Sequence, residues 1–136
     1  MPVLARNKKA FHDYFIEDKL EAGIELVGTE VKSVKAGKVS IKESFIRIIR
    51  DEVFVMNMHI TPYEFGNINN VVESRVRKLL LNRREIKKWS EKIKEQGYTI
   101  VPISVYTKQR LVKMEIGLAK GKKMHDKRES LKRKDI

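Results

Sequence analysis

Residues 100–119 read IVPISVYTKQRLVKMEIGLA, and apolar side chains recur at every second position through most of this stretch. A period of two places successive side chains on opposite faces, which is typical of a β-strand with one buried face. Thr107 to Arg110 form a polar connection of hairpin length, so the two strands are predicted to pair antiparallel. The alternating residues are Val101, Ile103 and Val105, then Val112, Met114, Ile116 and Leu118.

A second hairpin is predicted earlier in the chain. Its strands are Phe45–Ile49 and Val53–Ile60, which flank three charged residues and again show period-two alternation. Two further segments, Phe11–Ile16 and Gly23–Val27, are rich in aromatic or β-branched residues and predict one or two more strands.

Helical signals are fewer. Asn82 and Glu85 have the spacing of a capping box, and the apolar periodicity after them predicts an amphipathic helix over 83–96. Thr29 is predicted to cap a shorter helix, which Gly37 ends.

These elements predict a mainly β fold. Five to seven short strands without βαβ alternation favour an OB-like antiparallel β-barrel with two or three accessory helices and a basic C-terminal tail. Residues 1–119 are predicted to form the barrel, and residues 120–136 a tail that is disordered when free. The tail has too few apolar residues to dock by burial, but its helix formers would let it fold on a partner.

The positive charge is concentrated in three stretches. The 136 residues include 30 Lys and Arg against 18 Asp and Glu, a formal net charge of +12. The net positive charge of three segments together exceeds that of the whole chain, so the remaining residues are slightly acidic. The three segments are residues 1–10, 75–94 and 120–136. A solvated helix face explains a single basic run, but three separate runs favour a polyanionic partner, foremost nucleic acid.

Few features indicate chemistry. The chain has no cysteine, Gly-rich phosphate loop or Ser-His-Asp pattern, so no catalytic residue, metal site or cofactor is predicted. His12 beside Asp13 and His125 beside Asp126 are expected to point to opposite faces of strands, and His59 is expected to be structural. No membrane-spanning run or signal peptide is evident, which predicts a cytoplasmic protein without membrane contact.

Five collinear blocks resemble the SmpB family, whose members bind transfer-messenger RNA (tmRNA). They are Asn7 to Ala10 with Tyr14; Glu21 through Gly23 and Gly28 to Ser33, ending at Gly37; Asn57, His59, Ile60, Pro62 and Tyr63; Arg77 to Leu81 with Glu85 and Ile86; and Leu118 to Lys123 followed by Asp126, Lys127 and Arg128.

The resemblance implies a non-catalytic, monomeric adaptor in trans-translation, the process of ribosome rescue. It would bind the tRNA-like domain of tmRNA and deliver it, aminoacylated and with EF-Tu, to stalled ribosomes. Its tail would enter the small-subunit decoding centre and mRNA channel. The alternative is a structural ribosomal protein or a general RNA-binding OB-fold protein.

The resemblance also implies site residues. Glu30, Leu80 and Asn82 match positions tied to tmRNA binding, although Glu30 would also suit a helix dipole, Asn82 an N-cap and Leu80 a core. A carboxylate repels phosphate, so Glu30 would contact base or ribose donors or orient a neighbour, whereas Lys32 and Lys35 suit phosphates. The other predicted RNA-binding residues are Asn7, Lys8, Lys9, Lys120, Lys122 and Lys123. The predicted decoding-site tail residues are His125, Asp126, Lys127 and Arg128.

Overall fold

The computed structural model describes residues 3–62, 72–95 and 97–122. The strands in these ranges are β1 Val3–Arg6, β2 Tyr14–Ile24, β3 Val39–Ser40, β4 Phe45–Ile49, β5 Glu52–Met56, β6 His59–Ile60, β7 Arg77–Leu80, β8 Tyr98–Lys108 and β9 Leu111–Gly121. The helices are α1 Lys9–Asp13, α2 Gly28–Lys35 and α3 Arg83–Ile93.

Seven strands form one antiparallel sheet in the order β1-β8-β9-β2-β7-β5-β4, and β3 pairs with β6 separately. The sheet curls so that its edge strand β4 comes against β8 without a hydrogen-bonded ladder between them. The result is an incompletely closed barrel, which confirms the predicted mainly β, OB-like fold.

Both predicted hairpins are present. Their turns are two residues long, at Arg50–Asp51 and Gln109–Arg110, and all four residues have positive φ between 51° and 69°. Positive φ at both central positions is the geometry of a type I′ turn, whose twist matches that of the paired strands. The loop predicted from Thr107 is therefore shorter than expected, because β8 continues to Lys108.

The strand predicted over 53–60 is wrong in its second half. β5 ends at Met56, and Asn57 turns the chain with a φ of 56°. Met58 is then fully buried, and His59 and Ile60 pair with β3 instead. The turn lets the segment join a second sheet, although the apolar alternation continues through it.

The strand predicted from Phe11 begins only at Tyr14, because Lys9–Asp13 is helical. This turn of helix buries Ala10 against Val101 and Ile103. The expectation that His12 and Asp13 point apart is also wrong: Nδ1 of His12 lies 2.8 Å from Oδ1 of Asp13, on the exposed surface.

The main core lies inside the curl of the sheet, and α3 covers part of it. Trp89 of α3 is 1% exposed, and its indole Nε1 donates to the Asp18 carboxylate on β2 at 3.1 Å. That hydrogen bond lowers the pKa of Asp18 below its ordinary value, although burial opposes the shift. The helix ends at Ile93, three residues before the predicted 96.

Candidate nucleic-acid interface

The buried carboxylate of Glu30 joins α2 to β7 and to the residues just before that strand. Helix α2 begins after Val27, not at a Thr29 cap as predicted, and Glu30 Oε1 accepts the Val27 backbone N–H at 3.0 Å. Arg75 donates to both carboxylate oxygens, at 2.5 and 3.1 Å, and Arg77 Nε donates to Oε2 at 2.8 Å. Glu30 is 4% exposed, so its hydrogen-bonding capacity is taken up inside the protein.

The Arg77 guanidinium is fully buried and holds several segments together. It donates to the backbone carbonyls of Met58, Glu73 and Arg75 at 2.6, 2.9 and 3.1 Å, in addition to Glu30. A buried charge is tolerated when it is paired and its donors are satisfied, and this one meets both conditions. The cluster therefore fixes α2 relative to β7.

The pKa of the Glu30 carboxyl lies below its ordinary value. Burial raises it, but the hydrogen bonds from Arg75, the Val27 N–H and Arg77, together with the Arg77 charge, outweigh burial. Burial also lowers the pKa of Arg77, and Glu30 opposes that shift. The ion pair thus keeps both groups charged at neutral pH.

Leu80 is the last residue of β7, the strand that the Glu30–Arg77 pair anchors, and Asn82 comes two residues later as the N-cap of α3. Leu80 is 49% exposed, so it is not a core residue, and its side chain lies close over Gly23, where an added Cβ would be 3.3 Å from Leu80 Cβ. Asn82 forms the predicted capping box: its Oδ1 accepts the Glu85 N–H at 2.9 Å, and Glu85 Oε1 accepts the Asn82 N–H at 3.1 Å. Since β7 has four residues, Leu80 lies about 10 Å along the strand from Arg77.

A groove of about 760 Å³ lies where β7, the β4–β5 turn and the start of α3 meet. The exposed Leu80 side chain stands among charged groups at this groove, of which four are basic and two acidic. The excess of positive charge in a concave surface attracts polyanions. The groove is lined by Arg50, Asp51, Glu52, Val53, Lys78, Leu79, Leu80, Leu81, Arg83, Ile86 and Lys87.

The outer face of α3 extends this basic surface. Four basic side chains of the helix are exposed, whereas Ile86 and Ile93 pack toward the core on its other face. Two of the lysines on this surface form ion pairs with acidic side chains: Lys88 lies 3.6 Å from Asp18, and Lys78 lies 3.8 Å from Glu52. The exposed basic residues are Arg83, Arg84, Lys87 and Lys88.

The remaining predicted RNA-binding residues lie elsewhere. Lys32 and Lys35 are exposed on α2. Lys8 and Lys9 are exposed at the start of α1, but the Asn7 side chain donates to the Pro102 carbonyl at 2.9 Å, which ties it to β8.

The base of the predicted tail is part of the barrel. Lys120 pairs with Phe15 and Tyr98 in the sheet, so β9 continues two residues past the predicted boundary at 119. Lys122 donates from Nζ to the Phe11 carbonyl at 3.0 Å. Residues Lys123, His125, Asp126, Lys127 and Arg128 lie outside the described part of the chain.

Arg75 and Arg77 were not among the predicted site residues, although their hydrogen bonds to Glu30 hold α2 in place relative to β7. Their counterion is 45 and 47 residues away in sequence, so no local pattern links them. The available signal was their spacing: Arg75 and Arg77 are two residues apart, as side chains on one face of an extended segment are, and two arginines buried on one face require an acid there.

Other site types receive no support within the described ranges. No group of three or more His, Asp and Glu side chains in those ranges is arranged to hold a metal ion. No helix in the same ranges is long and apolar enough to cross a membrane.

The curled sheet and its basic groove define the class of this chain: a basic OB-like barrel protein, a fold whose strand faces and loops bind oligonucleotides. The family model described as SmpB protein matches residues 4–136. The chain belongs to the SmpB family.

Curated relatives share most of the sequence. An SsrA-binding protein of Fusobacterium nucleatum subsp. nucleatum is 64% identical over 133 residues, covering 98% of this chain and 90% of the relative. An SsrA-binding protein of Caldanaerobacter subterraneus subsp. tengcongensis is 59% identical, covering 98% and 84%. A solved structure described as "tmRNA-SmpB: a journey to the center of the bacterial ribosome" matches with a TM-score of 0.72 and 45% identity, over 89% of this chain and 85% of the other.

Proposed function

We propose that this chain is a non-catalytic adaptor that binds the tRNA-like domain of tmRNA and delivers it to stalled ribosomes for trans-translation. The names of its relatives, SsrA-binding proteins, and the tmRNA-SmpB structure it resembles support this function. The observation that carries it is the groove beside β7, where Leu80 lies among basic side chains, next to the Asn82 cap of α3.

The groove has two kinds of contact for folded RNA. The cationic side chains of Arg83 and Lys87 neutralise phosphates, and their exposure at the start of α3 lets them follow a backbone. The apolar Leu80 side chain packs against a base or ribose face, where shape rather than sequence is recognised.

Glu30 acts in this proposal as a positioning residue. Its carboxylate is buried and accepts hydrogen bonds from Arg75, Arg77 and the Val27 N–H, which leaves little room for RNA donors. It orients α2, with Lys32 and Lys35 on its surface, against the strand that ends at Leu80.

The finer assignments rest on the family resemblance. The chain would act as a cytoplasmic monomer and would meet EF-Tu through aminoacylated tmRNA. Lys123, His125, Asp126, Lys127 and Arg128 would serve the ribosomal step at the small-subunit decoding centre and mRNA channel, while Lys120 and Lys122 support RNA contacts at the base of the tail.

Binding of an isolated tRNA-like domain RNA tests the groove. We expect Leu80→Ser and the double variant Arg83→Ala/Lys87→Ala to weaken binding by about tenfold or more. Lys42→Ala is the matched control, because Lys42 is an exposed lysine outside the groove. Equal losses in the control and in the groove variants would contradict the assignment.

A second experiment separates RNA binding from the ribosomal step. The triple variant Asp126→Ala/Lys127→Ala/Arg128→Ala is expected to keep its affinity for tmRNA and lose peptide tagging on stalled ribosomes. The double variant Glu30→Ala/Asn82→Ala is expected to lose RNA affinity. Sequencing the RNA that copurifies with the protein distinguishes one tRNA-like RNA from the stoichiometric ribosomal RNA of a structural ribosomal protein.

A further inference from the structure

Two phenylalanines are unusually exposed on a part of the barrel that does not line the groove. Phe11 on α1 and Phe15 on β2 are each 51% exposed. Large aromatic side chains normally bury most of their surface, so a pair of them at the surface of a strongly charged protein indicates a contact site.

Lysine side chains cross both rings. Lys19 Nζ lies 5.1 Å from the centroid of Phe11, and Lys122 Nζ lies 5.1 Å from the centroid of Phe15. Lys122 also donates to the Phe11 carbonyl at 3.0 Å, so this one side chain connects the two aromatic residues. These distances are those of cation–π contacts at an exposed site.

The sheet extends this surface sideways. Phe15, Lys120 and Tyr98 are directly opposite one another on β2, β9 and β8, and directly paired residues share a face. Lys120 Nζ lies 4.5 Å from the Tyr98 centroid. A hydrogen bond from the Tyr98 hydroxyl to Glu17 raises the pKa of Tyr98 to about 12. The row spans about 10 Å, the distance between three neighbouring strands.

We propose that this surface, the aromatic–lysine face of Phe11, Phe15, Tyr98, Lys19, Lys120 and Lys122, is a second RNA contact that stacks unpaired bases of single-stranded RNA. Aromatic rings beside cations on strand faces are the recurring means of binding single strands, because every base has a ring face and every nucleotide a phosphate. An incoming base would take the ring face, and the displaced lysine would pair with the adjoining phosphate.

The charges favour RNA over an apolar protein partner. Lysines crossing the ring faces would have to be removed from water without a counterion if an apolar surface covered them, which is unfavourable. A polyanion supplies that counterion.

This face also differs in ligand from the groove. It offers rings to separated bases, whereas the groove offers cationic side chains and Leu80 to a folded RNA surface.

The test is binding of an unstructured single-stranded RNA oligonucleotide to the full chain, measured by fluorescence anisotropy. Phe11→Leu and Phe15→Leu keep apolar volume and remove the aromatic ring, and each is expected to weaken binding by about tenfold. The slope of log affinity against log salt concentration should stay unchanged, because the rings carry no charge. Phe45→Leu is the matched control: Phe45 is 38% exposed and has Arg47 over its ring at 5.3 Å.

Three outcomes would overturn the proposal. They are no binding of single-stranded RNA by the unaltered protein, unchanged affinity in both Phe11→Leu and Phe15→Leu, or an equal loss in Phe45→Leu. Melting temperatures of the variants establish that each is folded. Binding of the folded tRNA-like RNA should be unaffected by either substitution, so failure here is distinguishable from failure of the groove assignment.

Discussion

Arg77 on β7 donates from Nε to Oε2 of Glu30 on α2 across 2.8 Å, and both side chains are almost wholly buried. The pair joins residues 47 positions apart. It fixes the helix that carries Lys32 and Lys35 to the strand that ends at Leu80. The geometry of the groove therefore depends on an interaction that itself lies below the surface.

Removing the Glu30 charge should destabilise the protein strongly. Glu30→Gln leaves Arg77 buried without a counterion, and the expected loss is about 3–5 kcal/mol of unfolding free energy. Glu52→Gln is the control, because the Glu52–Lys78 pair is exposed and 3.8 Å long and should contribute less than about 1 kcal/mol. Urea denaturation measures both, and a Glu30→Gln loss below about 1 kcal/mol would contradict the role of the pair.

The same carboxylate should make stability depend on acid pH. Its pKa in the folded protein is lowered from an ordinary value of 4.5, so the unfolded chain binds a proton more readily. The stabilisation is complete above about pH 4.5 and is lost as the pH falls through that value and then through the lower folded-state pKa. Denaturation between pH 7 and pH 2 should show a weaker acid dependence in Glu30→Gln; identical curves would refute this origin.

Two substitutions of Asn82, the N-cap of α3, distinguish a structural role of this residue from a direct contact with RNA. Asn82→Ala removes the acceptor for the Glu85 N–H and should cost about 1 kcal/mol, whereas Asn82→Ser keeps an acceptor and should cost a few tenths. Thermal unfolding checks the stability. If Asn82 supports RNA binding only by capping, the serine variant should also keep its affinity for the tRNA-like RNA, and a loss in both variants would indicate a direct amide contact.

The salt dependence of binding tests whether Arg83 and Lys87 of the groove contact phosphates. Each of Arg83→Ala and Lys87→Ala should reduce the slope of log affinity against log salt concentration by about 0.7–0.9. Lys42→Ala should leave the slope unchanged. A groove variant that loses affinity at constant slope would act through structure and not through a phosphate contact.

The hairpin of β8 and β9 was predictable from sequence because its apolar residues alternate through most of its length. Strand β8 pairs with β9 along the stretch where Val112, Met114, Ile116 and Leu118 recur. The turn residues gave no glycine signal, since Gln109 and Arg110 adopt positive φ without being glycine. The loop was therefore predicted too long, although the pairing was correct.

Strand β7 was not predicted, for a different reason. It is four residues long, and one of its buried positions is Arg77, which no hydrophobic pattern marks. The Asn82–Glu85 box was predictable because its partners are three residues apart. Local contacts leave local signals, whereas the Glu30–Arg77 contact depends on how the sheet brings distant segments together.

The guanidinium of Arg77 also binds the carbonyls of Met58 and Glu73, and the Ile60 N–H donates to the Glu73 carbonyl at 3.1 Å. One side chain thereby holds the backbone at Met58 and at Glu73 beside the Glu30 carboxylate of α2. Shortening Arg77 would therefore release three segments of the chain at once.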